Sequence, residues 1–558
     1  MLGTFTLQAG YLGFGTTGGP SFAEILPNEL LFWLAHSVFV VPACWILVRQ
    51  IALGWRRLPE KLNELATLHG AEARATLLAG SVLLGLLYLA GRWLILRELP
   101  ATDDENAVLF GARILADGHL RIPSPAPEGA FYLLYLTRKD GQVGSMDFPG
   151  PLFFRALSLV LPAGEVIYPA LAAVTGALLI ATADRLVGGQ FRLVAAGLWT
   201  LSPMAFFLSL TTHAHLLSRA FLALALWGWS CLRTKEEPER LGAVALGVGA
   251  GLALLCRPFE STAMLLGLVP VLFRPGPHRR HRVLLALMAS LPSLLLFAAY
   301  NRATTGIWYL PARYAPGATA FSPLEELSLP ARLAVNSGYN ALMLAQLAAT
   351  PLLLPLLALG ARSSHGRPLL ASLTFSLALG LGHENTGIHS LGPIHYSEVI
   401  LPLILLAVLG LQEAESLTSS FQALRQLIHH GTTALLLSLP IFNLVHGWSL
   451  RRQANLQQLP FEILANAGFR RAVVVAPPPA QLYEQRPELR RDVPWVLYYP
   501  PPDPSLRDDL IFAKPTADLE ALRARFPDRP LVRLSYPPSG PLFSIELIAP
   551  PSAPLKLT

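Results

Sequence analysis

Long apolar runs follow one another along most of this chain, with short polar loops between them. Runs such as Leu30–Val48, Ala75–Ala90 and Tyr168–Ala183 approach the roughly 20 apolar residues that a helix needs to cross a membrane. The pattern predicts twelve spans, near 30–52, 75–95, 165–187, 191–208, 214–232, 241–256, 260–273, 283–300, 337–360, 369–382, 397–412 and 431–447.

The pattern changes after residue 447, where the apolar runs stop and proline becomes frequent. Short alternating or apolar segments then predict strands at Ala472–Ala476, Leu510–Ala513, Leu531–Leu534 and Phe543–Ile548. Ala517–Phe526 has the pattern of a helix. The end of the chain is therefore predicted to be a small α/β domain.

Together these patterns predict an all-α polytopic membrane protein of about 12 transmembrane helices with a small C-terminal α/β domain. Three parts are expected. Residues 1–74 form an N-terminal segment with one additional transmembrane helix, 75–447 form the main transmembrane domain with long outer loops at 97–164 and 301–336, and 448–558 form a soluble extracytoplasmic domain.

Composition supports a membrane protein and excludes a chain of soluble domains. Of the 558 residues 53% are hydrophobic and 14% are charged, whereas soluble domains carry about 25% charged residues. The net charge of +7 does not indicate nucleic-acid binding, because the basic residues lie in short loops between apolar runs. The three cysteines lie inside apolar runs, without the spacing of a disulfide framework or a zinc site.

The basic residues also predict the orientation, because cytoplasmic loops are enriched in lysine and arginine. One set of alternate loops carries Arg56, Arg57 and Lys61; Arg185 and Arg192; Arg233, Lys235 and Arg240; Arg274, Arg279, Arg280 and Arg282; Arg362 and Arg367; and Arg425. That side is expected to be cytoplasmic, so that both termini and both long loops lie outside.

A cluster of acids, Thr102-Asp103-Asp104-Glu105, opens the first outer loop. Two interpretations are open. Thr102 or Asp103 caps the helix that follows, with the other acids at its positive end, or one carboxylate acts as a general base beside a substrate held at the membrane.

The segments after these acids favour the second interpretation. The helix continues to Ala112-Arg113, and Gly144 and then Asp147-Phe148-Pro149-Gly150 follow before the next apolar run. This order resembles the GT-C class of integral-membrane glycosyltransferases that use polyprenyl-phosphate sugars, in particular bacterial relatives of dolichyl-phosphate-mannose mannosyltransferases. In that class an Asp-Glu pair opens the first outer loop, and a helix ending in Ala-Arg and a Pro-Gly element follow.

Two later segments are similar to the same class. Cys256-Arg257-Pro258 resembles an outer hairpin with a basic residue before proline, and Gly392–Glu398 resembles a late Gly-Pro-Arg-Tyr segment in which Ile394 replaces the arginine. The resemblance implies inverting sugar transfer, with Asp104 as general base, Glu105 sharing or supporting that role and Asp103 as the second choice. The implied substrate or phosphate contacts are Arg113, Asp147, Arg257, Arg302, Arg313, His395 and Tyr396. Each arginine has the alternative of a lipid-headgroup contact or a structural ion pair.

Histidines also gather on the predicted outer side, namely His213, His215, His383, His389 and His395, with Glu384 and Glu398. They lack the i, i+4 spacing of helical zinc motifs, so we expect them to line a polar cavity, and no metal or cofactor is predicted. The expected partners are a polyprenyl-phosphate-linked sugar donor, a glycan, lipid or protein acceptor, and membrane lipids, at the bacterial inner (cytoplasmic) membrane. The alternatives are a transporter or lipid flippase, which keeps its charges at mid-membrane depth, and a non-catalytic scaffold.

Overall fold

The computed structural model describes residues 34–54, 70–133, 135–234, 239–316, 318, 328–348, 353–382, 388–389, 391–417, 422–489 and 498–552. Helices account for most of these residues. In chain order the α-helices are α1 (Val41–Gly54), α2 (Gly70–Gly91), α3 (Asp103–Ala116), α4 (Pro149–Val160), α5 (Ile167–Val187), α6 (Arg192–Leu201), α7 (Pro203–Ser209), α8 (Ala214–Thr234), α9 (Glu239–Cys256), α10 (Pro258–Leu268), α11 (Arg279–Thr305), α12 (Leu329–Ala348), α13 (Leu354–Gly360), α14 (Gly366–Leu381), α15 (Ile400–Leu417), α16 (Gln422–Asn466), α17 (Ala480–Gln485) and α18 (Leu519–Arg525).

Seven helices within the described ranges are long and apolar enough to cross a membrane. They are Ala75–Leu96, Gly164–Val187, Ala214–Thr234, Glu239–Cys256, Arg279–Thr305, Ile394–Ser416 and Gln426–Asn466. The pair Gly189–Leu201 and Pro203–Ser209, bent by 58°, raises the number to eight if it is one span. The prediction of a polytopic helical membrane protein is confirmed.

The twelve predicted spans exceed this number because several coincide with shorter apolar helices. Pro258–Phe273 and Gly366–Leu381 are examples, and 337–360 covers parts of α12 and α13, with 349–352 outside the described residues. Hydropathy alone does not separate a short helix buried among others from one that crosses the bilayer.

The helices pack tightly around α8, in which 89% of the residues of the apolar stretch are buried. Glycines allow α8 and α9 to approach at backbone distance, as small residues commonly do between membrane helices. A Cβ on Gly228 would lie 2.5 Å from the backbone nitrogen of Leu246, and one on Gly249 would lie 2.5 Å from that of Ala225. The two helices are thereby held at a fixed distance from each other.

The segment 97–164, predicted as the first outer loop, contains α3, a small antiparallel sheet and α4. The strands are β1 (Ile122–Pro123), β2 (Leu136–Lys139) and β3 (Gln142–Ser145), with β3 in the middle. A cluster of Phe110, Ile114, Leu136 and Val143 packs the sheet against α3. A two-residue pair, β4 (Ile388–His389) with β5 (Gly392–Pro393), precedes α15.

The C-terminal domain has a four-stranded sheet in the order β7-β6-β8-β9. Its strands are β6 (Ala472–Val475), β7 (Leu510–Ala513), β8 (Leu531–Ser535) and β9 (Ser544–Ala549). β6 pairs in parallel with β7 and β8, and β9 is antiparallel to β8. These strands and α18 confirm the α/β prediction.

The boundary predicted at 447/448 falls inside α16. This helix continues without a break over 45 residues, a length of about 68 Å, which exceeds the thickness of the hydrocarbon layer by a factor of about two. Its last turns bring Leu456 and Leu464 into the same apolar cluster as Val474, Phe512 and Val532 of the sheet. The end of the last membrane helix is therefore part of the domain core.

Candidate active site

The acids at the start of α3 have separate tasks, and the capping is done by Thr102 and Glu105. The Thr102 hydroxyl accepts the Glu105 N–H at 3.1 Å, and Glu105 Oε2 accepts the N–H groups of Thr102 (3.2 Å) and Ala101 (2.7 Å). This capping box supplies partners for exposed donors at the helix start. Asp103 and Asp104 are therefore not the cap residues.

Glu105 also joins α3 to the segment between α7 and α8. Its Oε1 accepts both the backbone N–H of Thr212 at 2.7 Å and the Thr212 hydroxyl at 2.8 Å. The side chain is buried, and both carboxylate oxygens are engaged. This arrangement brings the residue after Thr212 next to the acids.

That residue is His213, which holds Asp104. Its Nε2 lies 3.3 Å from Asp104 Oδ2, and its Nδ1 accepts the backbone N–H of His215 at 3.4 Å. An Nδ1 that accepts is unprotonated, so the ring proton lies on Nε2 and points at the carboxylate. The His213 side chain is 1% exposed and that of Asp104 is 25% exposed, so Asp104 is the member of the pair that a substrate can reach.

Asp103 lies beside Asp104 in a different environment. Its Oδ2 accepts the Tyr135 hydroxyl at 2.6 Å, and its Oδ1 accepts the Asp104 N–H at 3.0 Å. Burial and the charge of Asp104 raise the pKa of Asp103 to about 6. Burial opposes ionisation of Asp104 too, but the His213 hydrogen bond and the charges of Arg313 and Arg257 outweigh it and lower the Asp104 pKa. Asp104 is therefore the carboxylate that is charged first as the pH rises.

Two arginines contribute positive charge to the acids from separate elements. Arg257, buried at the start of α10, lies 2.5 Å from Glu260. Arg313 lies 3.5 Å from Asp147 Oδ1, and its guanidinium lies over the Phe148 ring at 5.8 Å. Burial raises the pKa of Asp147 to about 6, against the opposing charge of Arg313. The structure thus brings Asp147, Arg257 and Arg313 to the same site as Asp104.

Further histidines continue the site inward. The His213 and His215 rings stack at 5.0 Å, and His215 Nδ1 lies 2.8 Å from Glu398 Oε1. Glu398 is buried and also accepts the Ser218 hydroxyl. The His395 ring lies 6.0 Å from that of His215. The structure thus brings His213, His215 and His395 together, and the cavity expected around them stays a prediction.

Tyr396 is buried and contacts α12 and α14. Its side chain is 1% exposed and its hydroxyl accepts Asn340 Nδ2–H at 3.3 Å. The ring packs on Gly380, where a Cβ would lie 2.0 Å from a ring carbon. This close packing fixes the Gly392–Glu398 segment against α14.

Two of the arginines named from the sequence have other contacts. Arg113 lies 3.2 Å from Asp508 Oδ2 and 3.4 Å from the Pro501 carbonyl, both in the C-terminal domain. Arg302 is exposed and donates to the Gly306 carbonyl at the end of its own helix. His383 and Glu384 lie outside the described residues. Within the part of the chain that the structure describes, no group of three or more His, Cys, Asp or Glu side chains is arranged to hold a metal ion.

Sequence reasoning named His213 only as one of several outer histidines and did not pair it with Asp104. The two are 109 positions apart. The available signal was Thr212-His213-Ala214-His215, a polar pair of histidines immediately before an apolar run.

No family model matches the chain, and no curated protein matches it. Solved structures do resemble it. ArnT from Cupriavidus metallidurans in the apo state has 12% sequence identity and a TM-score of 0.50, covering 83% of this chain and 93% of that one. ArnT from the same organism bound to undecaprenyl phosphate has 13% identity and a TM-score of 0.49, covering 84% and 94%. The chain therefore shares its fold with ArnT, and the polytopic fold implied by the resemblance to the GT-C class is confirmed.

Proposed function

We propose that this protein is a membrane glycosyltransferase. It moves a sugar from a polyprenyl-phosphate donor to a glycan, lipid or protein acceptor of the cell envelope, at the extracytoplasmic face of the inner membrane and with inversion. The observation that carries the proposal is Asp104, a partly exposed carboxylate held by a buried histidine, with Arg257 and Arg313 close enough to lower its pKa.

This site contains the groups that such a reaction needs. Asp104 Oδ1, the oxygen that does not contact His213, takes the proton of the acceptor hydroxyl. As it does so, the hydroxyl oxygen of the acceptor attacks C1 of the sugar. The bond from C1 to the phosphate oxygen breaks, and its electron pair leaves with the lipid phosphate. Arg257 and Arg313 stabilise the charge that develops on that phosphate.

The remaining site residues support these groups. Glu105 holds the start of α3 against Thr212, because both of its oxygens are engaged there. Asp103 is a neighbour that Tyr135 anchors. His395 and Asp147 line the site, and buried Tyr396 fixes the segment that carries His395 through its contacts with Asn340 and Gly380. We assign Arg302 no part in donor binding, because its guanidinium caps the end of its own helix.

The fold supports the proposal at the level of the substrate class. ArnT, whose apo structure shares the fold, has also been solved with undecaprenyl phosphate bound. That ligand belongs to the lipid class proposed for the donor of this protein.

A transporter or lipid flippase is the second candidate, and buried Arg219 favours it. This arginine lies in α8, a membrane-spanning helix, where charges often serve transport. Its partners are the Met204 carbonyl at 3.3 Å, the Ser209 hydroxyl at 3.4 Å and the Trp199 ring at 5.6 Å. Sealed vesicles loaded with a labelled lipid-phosphate sugar separate the two candidates, because a flippase relocates the label without transferring the sugar.

Asp104→Asn tests the proposal directly. The purified protein, reconstituted in vesicles with labelled polyprenyl-phosphate sugars, should lose about 10²–10⁴-fold in transfer rate, because an amide cannot accept the proton. Thermal stability should change little, since Thr102 and Glu105 cap the helix. Asp103→Asn should reduce transfer less.

Asp140→Asn is the matched control, an isosteric change in the exposed β2–β3 turn. If Asp103→Asn transferred no sugar while Asp104→Asn remained active, the general base would be Asp103 and not Asp104. Full activity of both variants would eliminate the role of this loop in catalysis.

A further inference from the structure

The C-terminal domain is joined to the first outer loop through residues 130–132. Phe131 forms an antiparallel bridge with Ala513 of β7, and the Lys514 N–H donates to the Ala130 carbonyl at 2.7 Å. The Tyr132 hydroxyl donates to the Ala476 carbonyl at 2.6 Å. The outer loop thus adds a short extended segment to the edge of the domain's sheet.

The same segment is part of the domain's apolar core. Phe131 is 3% exposed and packs with Val473, Ile511 and Leu531. Tyr132 adds a ring contact to Tyr499 at 5.3 Å. Because this burial removes a large aromatic surface from water, the segment is held firmly by the domain.

From this segment the chain leads directly to the acids. Leu133 packs both on the domain cluster around Phe131 and on the cluster of α3 that contains Phe110 and Ile114. Tyr135 follows, and its hydroxyl donates to Asp103 at 2.6 Å. A continuous series of contacts therefore runs from the sheet of the C-terminal domain to the start of α3.

Tyr135 needs such support because its backbone is unfavourable. Its φ is +52°, in the left-handed region that non-glycine residues rarely occupy. A residue in this region stays there only when its surroundings fix it. The domain contacts of 130–133 on one side and the β2–β3 hairpin on the other supply that constraint.

A further contact connects the domain to the same helix. Arg113 of α3 lies 3.2 Å from Asp508 of the domain. The domain is therefore attached to α3 itself as well as to residues 130–133.

We propose that the C-terminal domain positions the catalytic carboxylate. It holds residues 130–133, these keep the Tyr135 hydroxyl on Asp103, and the adjoining Asp104 thereby keeps its reactive position. Phe131 and Tyr135 are then positioning residues. This inference rests on the proposed function, because the position that they maintain is that of the general base.

A double-mutant cycle in the full chain tests the coupling. Phe131→Ala and Tyr135→Phe should each lower kcat by about tenfold, the order of one lost hydrogen bond to a charged group, with the donor KM almost unchanged. If the domain acts through Tyr135, the double variant should also lose only about tenfold, because coupled sites are non-additive. Additive losses, about 100-fold together, or full activity of either single variant would overturn the inference.

Arg533→Ala is the control, since Arg533 pairs with Glu546 on the exposed face of the same sheet. It should leave kcat unchanged. If Arg533→Ala lowered kcat to the same extent, any damage to the domain would be sufficient to lower activity. That result would also contradict the inference.

A disulfide between the segment and the domain provides a second test, in which a covalent bond replaces the packing that the substitution of Phe131 removes. Phe131 and Ala513 are bridge partners, a spacing that a disulfide spans, and the native Cys44, Cys231 and Cys256 are buried. Phe131→Cys/Ala513→Cys should cross-link on oxidation, and the oxidised protein should transfer sugar at least as fast as the reduced one. Inactivation on oxidation that reduction reverses would mean that the domain must leave, and would overturn the inference.

The outcomes separate the two proposals. If the wild-type protein transfers no sugar from any polyprenyl-phosphate donor, both fail, although cross-linking still reports the docked domain. If the wild-type protein is active and the docking variants are equally active, only the inference about the domain fails.

Discussion

The hydrogen bond from His213 to Asp104 has a direction that the backbone sets. The N–H of His215 occupies Nδ1, so the ring presents its proton to Asp104 whether or not a substrate is bound. A donor to the charged form of a carboxylate favours ionisation. The histidine therefore keeps the proposed base ready to accept a proton.

Substituting His213 should shift the pH profile of the reaction. In His213→Met the pKa of Asp104 should rise, since the donor is gone, and the acid limb of kcat/KM should move to higher pH by about one unit. The sign follows because activity falls as the pH drops through the pKa of the base. His213→Gln retains an N–H donor near Nε2 and should keep the wild-type limb.

The other charged groups around Asp104 are unchanged in both variants, namely Asp103, Asp147, Arg257, Arg313 and Glu398. The acid limb therefore isolates the effect of His213. Identical limbs in the Met and Gln variants would contradict this role.

Arg313 is the better of the two arginines for testing phosphate recognition. The Arg257 side chain is 6% exposed and lies 2.5 Å from Glu260, whereas that of Arg313 is 18% exposed and lies 3.5 Å from Asp147, so replacing Arg313 should disturb the fold less. Arg313→Gln should lower kcat/KM for the lipid donor by about 10²–10³-fold. Arg302→Gln, on the exposed end of α11, should leave it unchanged, and equal effects of the two substitutions on steady-state kinetics would exclude a specific phosphate contact.

At the residue level, sequence order identified the acids but not all of their partners. Asp103, Asp104 and Glu105 are adjacent in the chain, so their proximity is certain. Arg113 lies on the same helix, where a rise of 1.5 Å per residue puts it about 14 Å farther along the axis. Its pairing with Asp508 depends on the folding back of the C-terminal domain, which no local pattern encodes.

Among the elements, the contact between α4 and the end of α9 positions Arg257. A Cβ on Gly150 would lie 2.6 Å from Cys256 Sγ and 2.9 Å from the Leu255 carbonyl oxygen. Only glycine permits this approach without movement of α9, and Arg257 follows Cys256 directly. The Pro-Gly element noted in the sequence thus has a packing reason here.

Gly150→Ala should therefore destabilise the protein by about 1–3 kcal/mol, the usual effect of overpacking, and lower the transfer rate. Gly80→Ala is the matched control, because Gly80 lies in a helix with nothing within 4 Å of the added Cβ. Thermal unfolding in detergent should separate the two. If both variants unfold at the wild-type temperature, α4 and α9 are less tightly packed than described.

Element prediction succeeded where the pattern was local. The strands of the C-terminal domain were found because each is a short apolar or alternating run bounded by turn residues. The extension of α16 to Asn466 was missed, because its last turns are apolar on one side only and face the domain rather than the bilayer.

For the whole molecule, the positive-inside pattern still predicts both long loops and the C-terminal domain on the outside. Single cysteines in place of Leu58 and His278 should resist a membrane-impermeant maleimide in sealed cells, and one in place of Arg533 should react. Buried native cysteines give little background. Labelling of position 58 or 278 from outside would show that the predicted orientation is wrong.

The unbroken helix α16 also has a consequence for how the length of this chain can vary in evolution. One inserted residue between 448 and 455 would turn everything beyond it by about 100° and carry the edge of β7 away from Phe131. Seven residues nearly restore the rotational phase but lift the domain by about 10 Å. Insertions and deletions should therefore be absent from this stretch in proteins that keep the arrangement, and should accumulate instead in the turns of the sheet.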